Sequence, residues 1–203
     1  MTFSFDQKTT ALLVMDMQNA IVHENSPVAQ QMGFAQIVKE SGVIPNIRSL
    51  LDACRQAKMA VFHIIVDFEV SKQFQAPKRG HFFQSIAHAV DLFKRGSWGF
   101  EIHEALQPLP DEPVVPKTFF SAFASSDLHE RLREKGITDV ILSGVATDFV
   151  VDSTCWNAAD LGYSVIVASN CCCTASQEEH EATLKKMTAR ADVASSKDII
   201  AAL

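Results

Sequence analysis

Short hydrophobic runs alternate with amphipathic stretches along the whole chain. Strands of a parallel sheet are buried on both faces and are joined by helices, so this alternation predicts an α/β fold around a parallel sheet. Five runs are interpreted as strands and a sixth, shorter run as an edge strand: residues 11–15, 59–66, 114–115, 139–143, 163–168 and 193–194.

Helices are predicted between these runs from capping residues and apolar stripes. They begin after Ser41, with the inward stripe Ile44, Ile47, Leu51 and Cys54; after Ser126, ending at Lys135 before Gly136; at residues 147–161; and after the capping box of Ser176 and Glu179, ending at Ala189. A loop-like region follows the first strand, because residues 25–27 would break any regular element there. Residues 67–112 form a long irregular connection with one short helix at 84–93, and connections of this length are often functional.

The composition limits what the chain can bind. Its 203 residues, 47% of them hydrophobic, suit one domain spanning 1–203. A formal net charge of −6 argues against nucleic acid or an anionic membrane as a partner, because both require a basic surface. No apolar run approaches the roughly 20 residues that span a bilayer. The first residues lack the pattern of a secretory signal, so we expect a cytoplasmic protein.

Five cysteines are the unusual feature of the composition: Cys54, Cys155 and the run Cys171-Cys172-Cys173. An odd number of cysteines without an export signal does not describe a disulfide framework. There is no C-x-x-C pair, which argues against a structural zinc site. Buried thiols are the ordinary interpretation, and a reactive nucleophile among them is the alternative.

Polar residues follow three of the predicted strands. Asp16 follows the first strand, Lys117 the third, and the turn 143–148 follows the fourth. Ligands of open α/β sheets bind beyond the carboxyl ends of the strands, which makes these residues candidates for a site. A buried carboxylate needs a partner, and Lys117 can provide it. The alternative is that Asp16 caps the next segment while Lys117 lies in solvent.

Three motifs in this order resemble the isochorismatase-like superfamily of cysteine hydrolases. They are Val14-Met15-Asp16-Met17-Gln18-Asn19; Lys117 with Ser121-Ala122-Phe123; and Gly144-Val145-Ala146-Thr147-Asp148 with Ser153-Thr154. The resemblance covers nearly the whole chain. It implies a three-layer αβα sandwich around a six-stranded, mostly parallel sheet, assembled as a homodimer or homotetramer.

The resemblance also implies a site. In the amidase branch of the superfamily an Asp, a Lys and a Cys act together, and the thiolate attacks a carbonyl carbon. Asp16 and Lys117 correspond to the first two residues. A cis peptide is implied at Val145-Ala146, and the N–H groups of Ala146 and Val150 correspond to the oxyanion hole.

The third catalytic role has no counterpart. Where the family pattern reads Gly-Val-Ala-Thr-Asp-x-Cys-Val, this chain places Val150 at the nucleophile position. Cys155 lies five residues further along the predicted helix and points about 140° away from Val150, which favours a packing role. The run 171–173 follows the fifth predicted strand, with no adjacent His or Lys to lower a thiol pKa.

We therefore expect a hydrolase that uses Asp16 and Lys117 for acid–base catalysis without a cysteine nucleophile. Its small-molecule substrate would carry an amide, imide or enol-ether-type bond. Predicted substrate contacts are Gln18, Trp98, Phe100, Phe119 and Phe149. No cofactor or metal is expected, because His63, His81 and His88 do not have the spacing of the metal ligands in nicotinamidase relatives. An inactive ligand-binding or scaffold relative is the main alternative, and deliberate replacement of a catalytic cysteine is a third explanation.

Overall fold

A computed structural model describes residues 4–70, 79 and 90–203 of the chain. Its strands are β1 (Thr10–Met15), β2 (Ala60–Val66), β3 (Val114–Lys117), β4 (Asp139–Val145), β5 (Ser164–Cys173) and β6 (Asp192–Ala194). They form one sheet in the order β3-β2-β1-β4-β5-β6, and each pair of neighbouring strands is parallel. The strand order reverses between β1 and β4, so the crevice at their carboxyl ends is where a ligand site is expected.

The described helices pack on both faces of this sheet. They are α1 (Asn19–Val22), α2 (Pro27–Gln31), α3 (Phe34–Ser41), α4 (Val43–Gln56), α5 (Leu128–Glu134), α6 (Asp152–Asp160), α7 (Gln177–Met187) and α8 (Ser196–Ala201). Helices α4 and α8 bury their apolar residues in one core, and α5, α6 and α7 bury theirs in the other. The predicted three-layer αβα arrangement is confirmed.

Strand β1 shows why two cores form. Leu12 and Val14 belong to one core, whereas Ala11, Leu13 and Met15 belong to the other. Successive side chains of a strand point to opposite faces of the sheet, so a continuous hydrophobic run supplies both. All six residues of the strand are buried, which holds its carboxyl end in a fixed position.

One prediction about the first half of the chain was wrong, and another is confirmed only in part. The segment after β1 contains three short helices rather than a loop: Ser26 caps α2, and Pro27 occupies its first turn, where a proline is tolerated. Ser41 ends α3, and Gly42, with a φ of 64°, is the residue from which α4 begins. A glycine can adopt this left-handed conformation, so the chain changes direction there, and Ser41 Oγ accepts a hydrogen bond from the Val43 N–H group at 3.3 Å.

The second half differs from the sequence prediction mainly in β5. This strand continues to Cys173, so the cysteine run lies within the strand rather than after it. The register with β4 shifts between Leu142 and Gly144. The polar residues Ser169 and Asn170 lie in this irregular part of β5, and pairing with β4 resumes at Cys172. The helix predicted at 147–161 begins with a π-helical turn, residues 147–151, before α6.

Other predictions are confirmed or lie outside the described residues. Ser126 accepts a hydrogen bond from the Leu128 N–H group at 3.3 Å, and Gly136 ends the following turn with a φ of 68°. Residues 84–89 of the predicted short helix, and the histidines at positions 81 and 88, lie outside the described part. None of the described helices is long and apolar enough to cross a membrane.

Candidate active site

Asp16 lies immediately beyond the carboxyl end of β1. Its φ of 59° is a left-handed value that few residues other than glycine adopt, and its N–H group donates to the Ile64 carbonyl of the neighbouring strand at 2.9 Å. The side chain is buried. Backbone conformations of this kind cost free energy and tend to occur where a side chain must be held in a particular direction.

Lys117 reaches Asp16 from the end of β3, across the intervening strand β2. Its Nζ atom lies 2.8 Å from Asp16 Oδ2 and donates a second hydrogen bond to the Phe119 carbonyl, also at 2.8 Å. Both partners are almost completely buried, since the side chain of Lys117 is 1% exposed and that of Asp16 is 4% exposed. The predicted pairing of these two residues is therefore present in the structure.

The second oxygen of Asp16 is unusual. Oδ1 is buried and has no hydrogen-bond partner among the residues that the structure describes. Burial raises the pKa of Asp16, and the charge and hydrogen bond of Lys117 oppose that rise only in part. A buried carboxylate oxygen without a partner is costly, and such groups often mark the place where a substrate or a water binds.

The turn after β4 brings the second half of the site next to Asp16. Gly144 has a φ of 116°, and a Cβ atom there would lie 2.0 Å from the Met15 carbonyl oxygen, so only glycine fits. The peptide bond between Val145 and Ala146 is cis, as the resemblance implies. Ala146 lines the cavity beside Asp16, and its N–H group has no acceptor among the described residues.

Val150 occupies the expected nucleophile position in this turn. Its side chain is buried and lines the same cavity as Asp16 and Lys117. Its N–H group donates to the Ala146 carbonyl at 2.9 Å, within the π-helical turn. The role of Val150 in an oxyanion hole stays a prediction, and in this structure its N–H group is engaged by the backbone.

Two hydrogen bonds hold this turn against β5 and α7. Thr147 Oγ1 lies 2.9 Å from His180 Nδ1, and Thr174 donates to the Asp148 carboxylate. Burial lowers the pKa of His180, so its neutral form is favoured. Sequence reasoning did not identify His180, because an isolated histidine on an amphipathic helix carries no motif.

The cavity between these elements is strongly apolar and has a volume of about 300 Å³. Besides Asp16 and Lys117, it is lined by Ala20, Ile21, Val28, Ala29, Met32, Phe34, Val66, Phe68, Phe93, Thr118, Phe119, Phe120, Val145, Ala146, Phe149, Val150, Thr174 and Ala175. A cavity of this size and composition is typical of small-molecule sites.

The cavity contains some of the predicted substrate contacts and not others. Phe119 and Phe149 line it, whereas Gln18, Trp98 and Phe100 do not. The Gln18 amide is occupied, since it accepts from the Val66 N–H group at 2.7 Å and donates to the Phe100 carbonyl at 3.0 Å. It therefore joins β1, β2 and the turn at residues 98–100, and a substrate role for these three residues has no support in the lining.

Sequence reasoning missed the wall formed by Met32 and Phe34. This wall follows α2, which was interpreted as loop. The signal was present, because Ser26 before Pro27 is the pattern of a helix N-terminus. A helix predicted from this pattern would have placed an amphipathic segment close to Asp16.

His63 and Asp67 lie outside the cavity lining and contact charged side chains. His63 is a buried core histidine, and its Nε2 atom lies 2.9 Å from a Glu112 oxygen. Asp67 accepts a hydrogen bond from Arg95 Nε at 2.8 Å. These contacts give Asp67 and His63 structural roles.

His23, His103 and Glu104 form the one described group with the proximity of metal ligands. Two hydrogen bonds decide against that role. His23 Nδ1 accepts from the Asn25 N–H group, and His103 Nδ1 accepts from the Ala105 N–H group. His23 therefore carries its proton on Nε2, the atom that faces Glu104, and the His103 lone pair nearest Glu104 is already used.

The fold and this site define an α/β protein with a candidate active site at the carboxyl edge of a parallel sheet. Residues 10–198 match the family model described as the isochorismatase domain. The chain therefore belongs to the isochorismatase family.

Three relatives show what the chain is similar to. A ureidoacrylate amidohydrolase of Rhizobium rhizogenes is 32% identical over 76% of this chain, which spans 66% of that relative's length. A protein of Arabidopsis thaliana named as a probable inactive nicotinamidase is 28% identical over 89% of this chain and 88% of its own. A solved isochorismatase-like hydrolase from Alkaliphilus metalliredigens has a TM-score of 0.74 at 28% identity, over 96% of this chain and 98% of its own.

Proposed function

We propose that this protein hydrolyses a small organic molecule at an amide, imide or enol-ether-type bond, with Asp16 as the acid–base group and water as the nucleophile. The observation that carries this proposal is that the buried pair of Asp16 and Lys117 lines a cavity of about 300 Å³, while Asp16 Oδ1 has no partner among the described residues. Lys117 holds the other oxygen, so Oδ1 points in a fixed direction. Val150 cannot attack a carbonyl carbon, which leaves water as the nucleophile.

For an amide, the reaction needs no other protein nucleophile. A water hydrogen-bonded to Asp16 Oδ1 attacks the carbonyl carbon while its proton passes to that oxygen. Negative charge develops on the carbonyl oxygen, where the Ala146 N–H group can stabilise it. Asp16 then returns the proton to the leaving nitrogen, and the C–N bond breaks to give a carboxylic acid and an amine.

A raised pKa suits Asp16 to both halves of this cycle. A carboxylate with a raised pKa is a stronger base than an ordinary aspartate, and its acid form is more readily available near neutral pH. With an enol ether, the acid form would donate its proton directly to carbon. The Rhizobium rhizogenes relative, an amidohydrolase by name, favours the amide over the other two bonds.

The alternative is a ligand-binding or scaffold protein without catalytic activity. Two observations favour it: Val150 at the position where the family pattern has cysteine, and the similarity to a relative named as inactive. Both functions use the same cavity, so activity rather than structure separates them.

The deciding experiment measures turnover of a neutral amide, an imide and a vinyl ether by the wild type, Asp16→Asn and Glu112→Gln. Asp16→Asn should lower kcat/KM by about 10²- to 10⁴-fold, the usual contribution of a general acid or base. Glu112→Gln removes the same charge at the opposite end of the sheet and should retain most of the activity. Iodoacetamide should leave the wild-type rate unchanged.

Two results would contradict the proposal. Full activity of Asp16→Asn would remove its acid–base group, and loss of activity on alkylation would restore a cysteine mechanism. Absence of turnover on the whole panel would favour the binding or scaffold alternative.

A further inference from the structure

Few polar atoms of the cavity remain available to a ligand. The Thr118 hydroxyl donates to the Asp67 carbonyl at 3.3 Å, and the Thr174 hydroxyl donates to Asp148. Both lining hydroxyls therefore use their hydrogens within the protein. Neither needs a ligand to satisfy its donor group.

Two residues of the lining carry an unpaired polar group, one an acceptor and the other a donor. Asp16 Oδ1 is an acceptor without a donor, and the Ala146 N–H group is a donor without an acceptor among the described residues. An amide offers both complements, because its N–H group donates and its carbonyl accepts. An ether oxygen offers an acceptor only and would leave Asp16 Oδ1 unpaired.

The charge of the cavity is already balanced. Asp16 and Lys117 are the only charged side chains in the lining that the structure describes, and they neutralise each other at 2.8 Å. A ligand carboxylate would bring an additional negative charge into this buried space. Burying a charge without a counter-ion is strongly unfavourable.

The remaining walls favour an apolar body of limited size. They include Met32, Phe34, Phe93 and the ring pair of Phe120 and Phe149, whose centroids lie 5.3 Å apart. A volume of about 300 Å³ is at the lower end of the range for small-molecule sites, so the ligand body is small.

We propose that the site selects uncharged amides with an apolar body and excludes carboxylates. The polar end of the ligand lies between Asp16 Oδ1 and the Ala146 N–H group, and its apolar part packs against the aromatic wall. This inference rests on the proposed function for the location of the site. It also separates this chain from its relative named for ureidoacrylate, which is itself a carboxylate.

The test is calorimetric binding of benzamide and benzoate at pH 8, since the two differ mainly in charge. Wild type should bind benzamide at least about tenfold more tightly, because benzoate brings an uncompensated charge. In Asp16→Asn the Lys117 charge loses its counter-ion, so the preference should reverse. Glu112→Gln is the matched control and should keep the wild-type preference.

Equal or tighter binding of benzoate by the wild type would overturn the inference, as would an unchanged preference in a folded Asp16→Asn protein. A series of unbranched primary amides tests the apolar part on the wild type alone. Affinity should rise about fourfold per methylene until the cavity is filled, and a flat series would overturn the inference.

Ammonia release measured in the same samples keeps this inference distinct from the proposed function. Selective binding of benzamide and the longer amides without turnover would contradict catalysis but support the selectivity. Turnover of amides and carboxylate-bearing amides at equal kcat/KM would support catalysis and overturn the selectivity.

Discussion

Two buried carboxylates lie at opposite ends of the sheet, and each is paired with a cation. At the amino end, Glu112 accepts from Arg55 Nε at 2.7 Å, from Arg55 Nη2 at 2.8 Å, from the Leu109 N–H group at 2.9 Å and faces His63 Nε2 at 2.9 Å. At the carboxyl end, Asp16 accepts from Lys117 through one oxygen, and its other oxygen has no partner in the described part of the chain. The oxygens of Glu112 are therefore both hydrogen-bonded within the fold, whereas only one oxygen of Asp16 is.

The pKa values of the two groups move in opposite directions for this reason. Burial opposes ionisation of both carboxylates. At Glu112 the hydrogen bonds from Arg55, Leu109 and His63 outweigh burial and lower the pKa to about 2. At Asp16 burial prevails and raises the pKa. A buried ion pair alone is therefore weak support for catalysis, whereas an unpartnered oxygen beside a cavity is a stronger indication.

Removing the cation of each pair should lower the free energy of unfolding, and the larger loss is expected at the carboxyl end. Lys117→Met leaves Asp16 buried without a counter-ion and should lower the free energy of unfolding at pH 8 by about 3–5 kcal/mol. Arg55→Met leaves Glu112 with two donors and should cost roughly 1.5–3 kcal/mol. Urea denaturation measures both values. A larger loss of unfolding free energy in Arg55→Met than in Lys117→Met would contradict this comparison of the two carboxylates.

The acid side of the stability curve should depend on Glu112 rather than on Asp16. The folded pKa of Glu112, about 2, lies below its ordinary value of 4.5, so its ionised form stabilises the fold above pH 4.5 and this contribution is lost as the pH falls towards 2. The raised pKa of Asp16 has the opposite effect on stability, because as the pH falls the folded state binds a proton at Asp16 before the unfolded state does.

Glu112→Gln should accordingly flatten the loss of stability between pH 4.5 and pH 2, relative to the wild type. Denaturant unfolding at several pH values provides the measurement. An unchanged slope in this variant would mean that the amino-end cluster does not hold Glu112 in its ionised form.

The smallest effect on stability is expected for Val150→Cys, which changes the side-chain volume little and should alter the free energy of unfolding by less than about 1.5 kcal/mol. The new thiol would line the cavity, whereas the five native cysteines are buried outside its lining. Burial raises the pKa of Cys54 and of Cys171 to about 12, so these thiols are poor nucleophiles.

Mass spectrometry after iodoacetamide treatment should therefore show one adduct in folded Val150→Cys and none in the folded wild type. Alkylation of the wild type under the same conditions would show that a native thiol is accessible. It would also reopen the question of a cysteine nucleophile.

The sequence predicted the pair at the carboxyl end because position along a parallel sheet is a strong constraint. Asp16 and Lys117 each follow a hydrophobic run, and strand ends of one sheet meet at one edge. The existence of the pair could therefore be inferred, but the unpaired Oδ1 atom could not. Whether a buried oxygen finds a donor depends on side-chain positions that no local pattern specifies.

The cluster at the amino end was less predictable. Glu112 lies in an irregular connection and Arg55 on a helix, so their meeting depends on tertiary packing alone. The cavity wall of Met32 and Phe34 was not predicted, because the short helix before it was interpreted as loop. The extension of β5 was not predicted, because Ser169 and Asn170 interrupt its hydrophobic run. Short helices and irregular strands are defined by long-range contacts that outweigh local propensity.

The most direct test is the titration of the two carboxyl groups in the folded protein by carbon-13 NMR. Spectra of Asp16→Asn and Glu112→Gln assign the two resonances. The account predicts a midpoint for Asp16 above its ordinary value of 3.8 and a midpoint for Glu112 at about 2. A midpoint for Asp16 below 3.8 would contradict it, because the carboxylate would then be as fully stabilised as the one at the amino end.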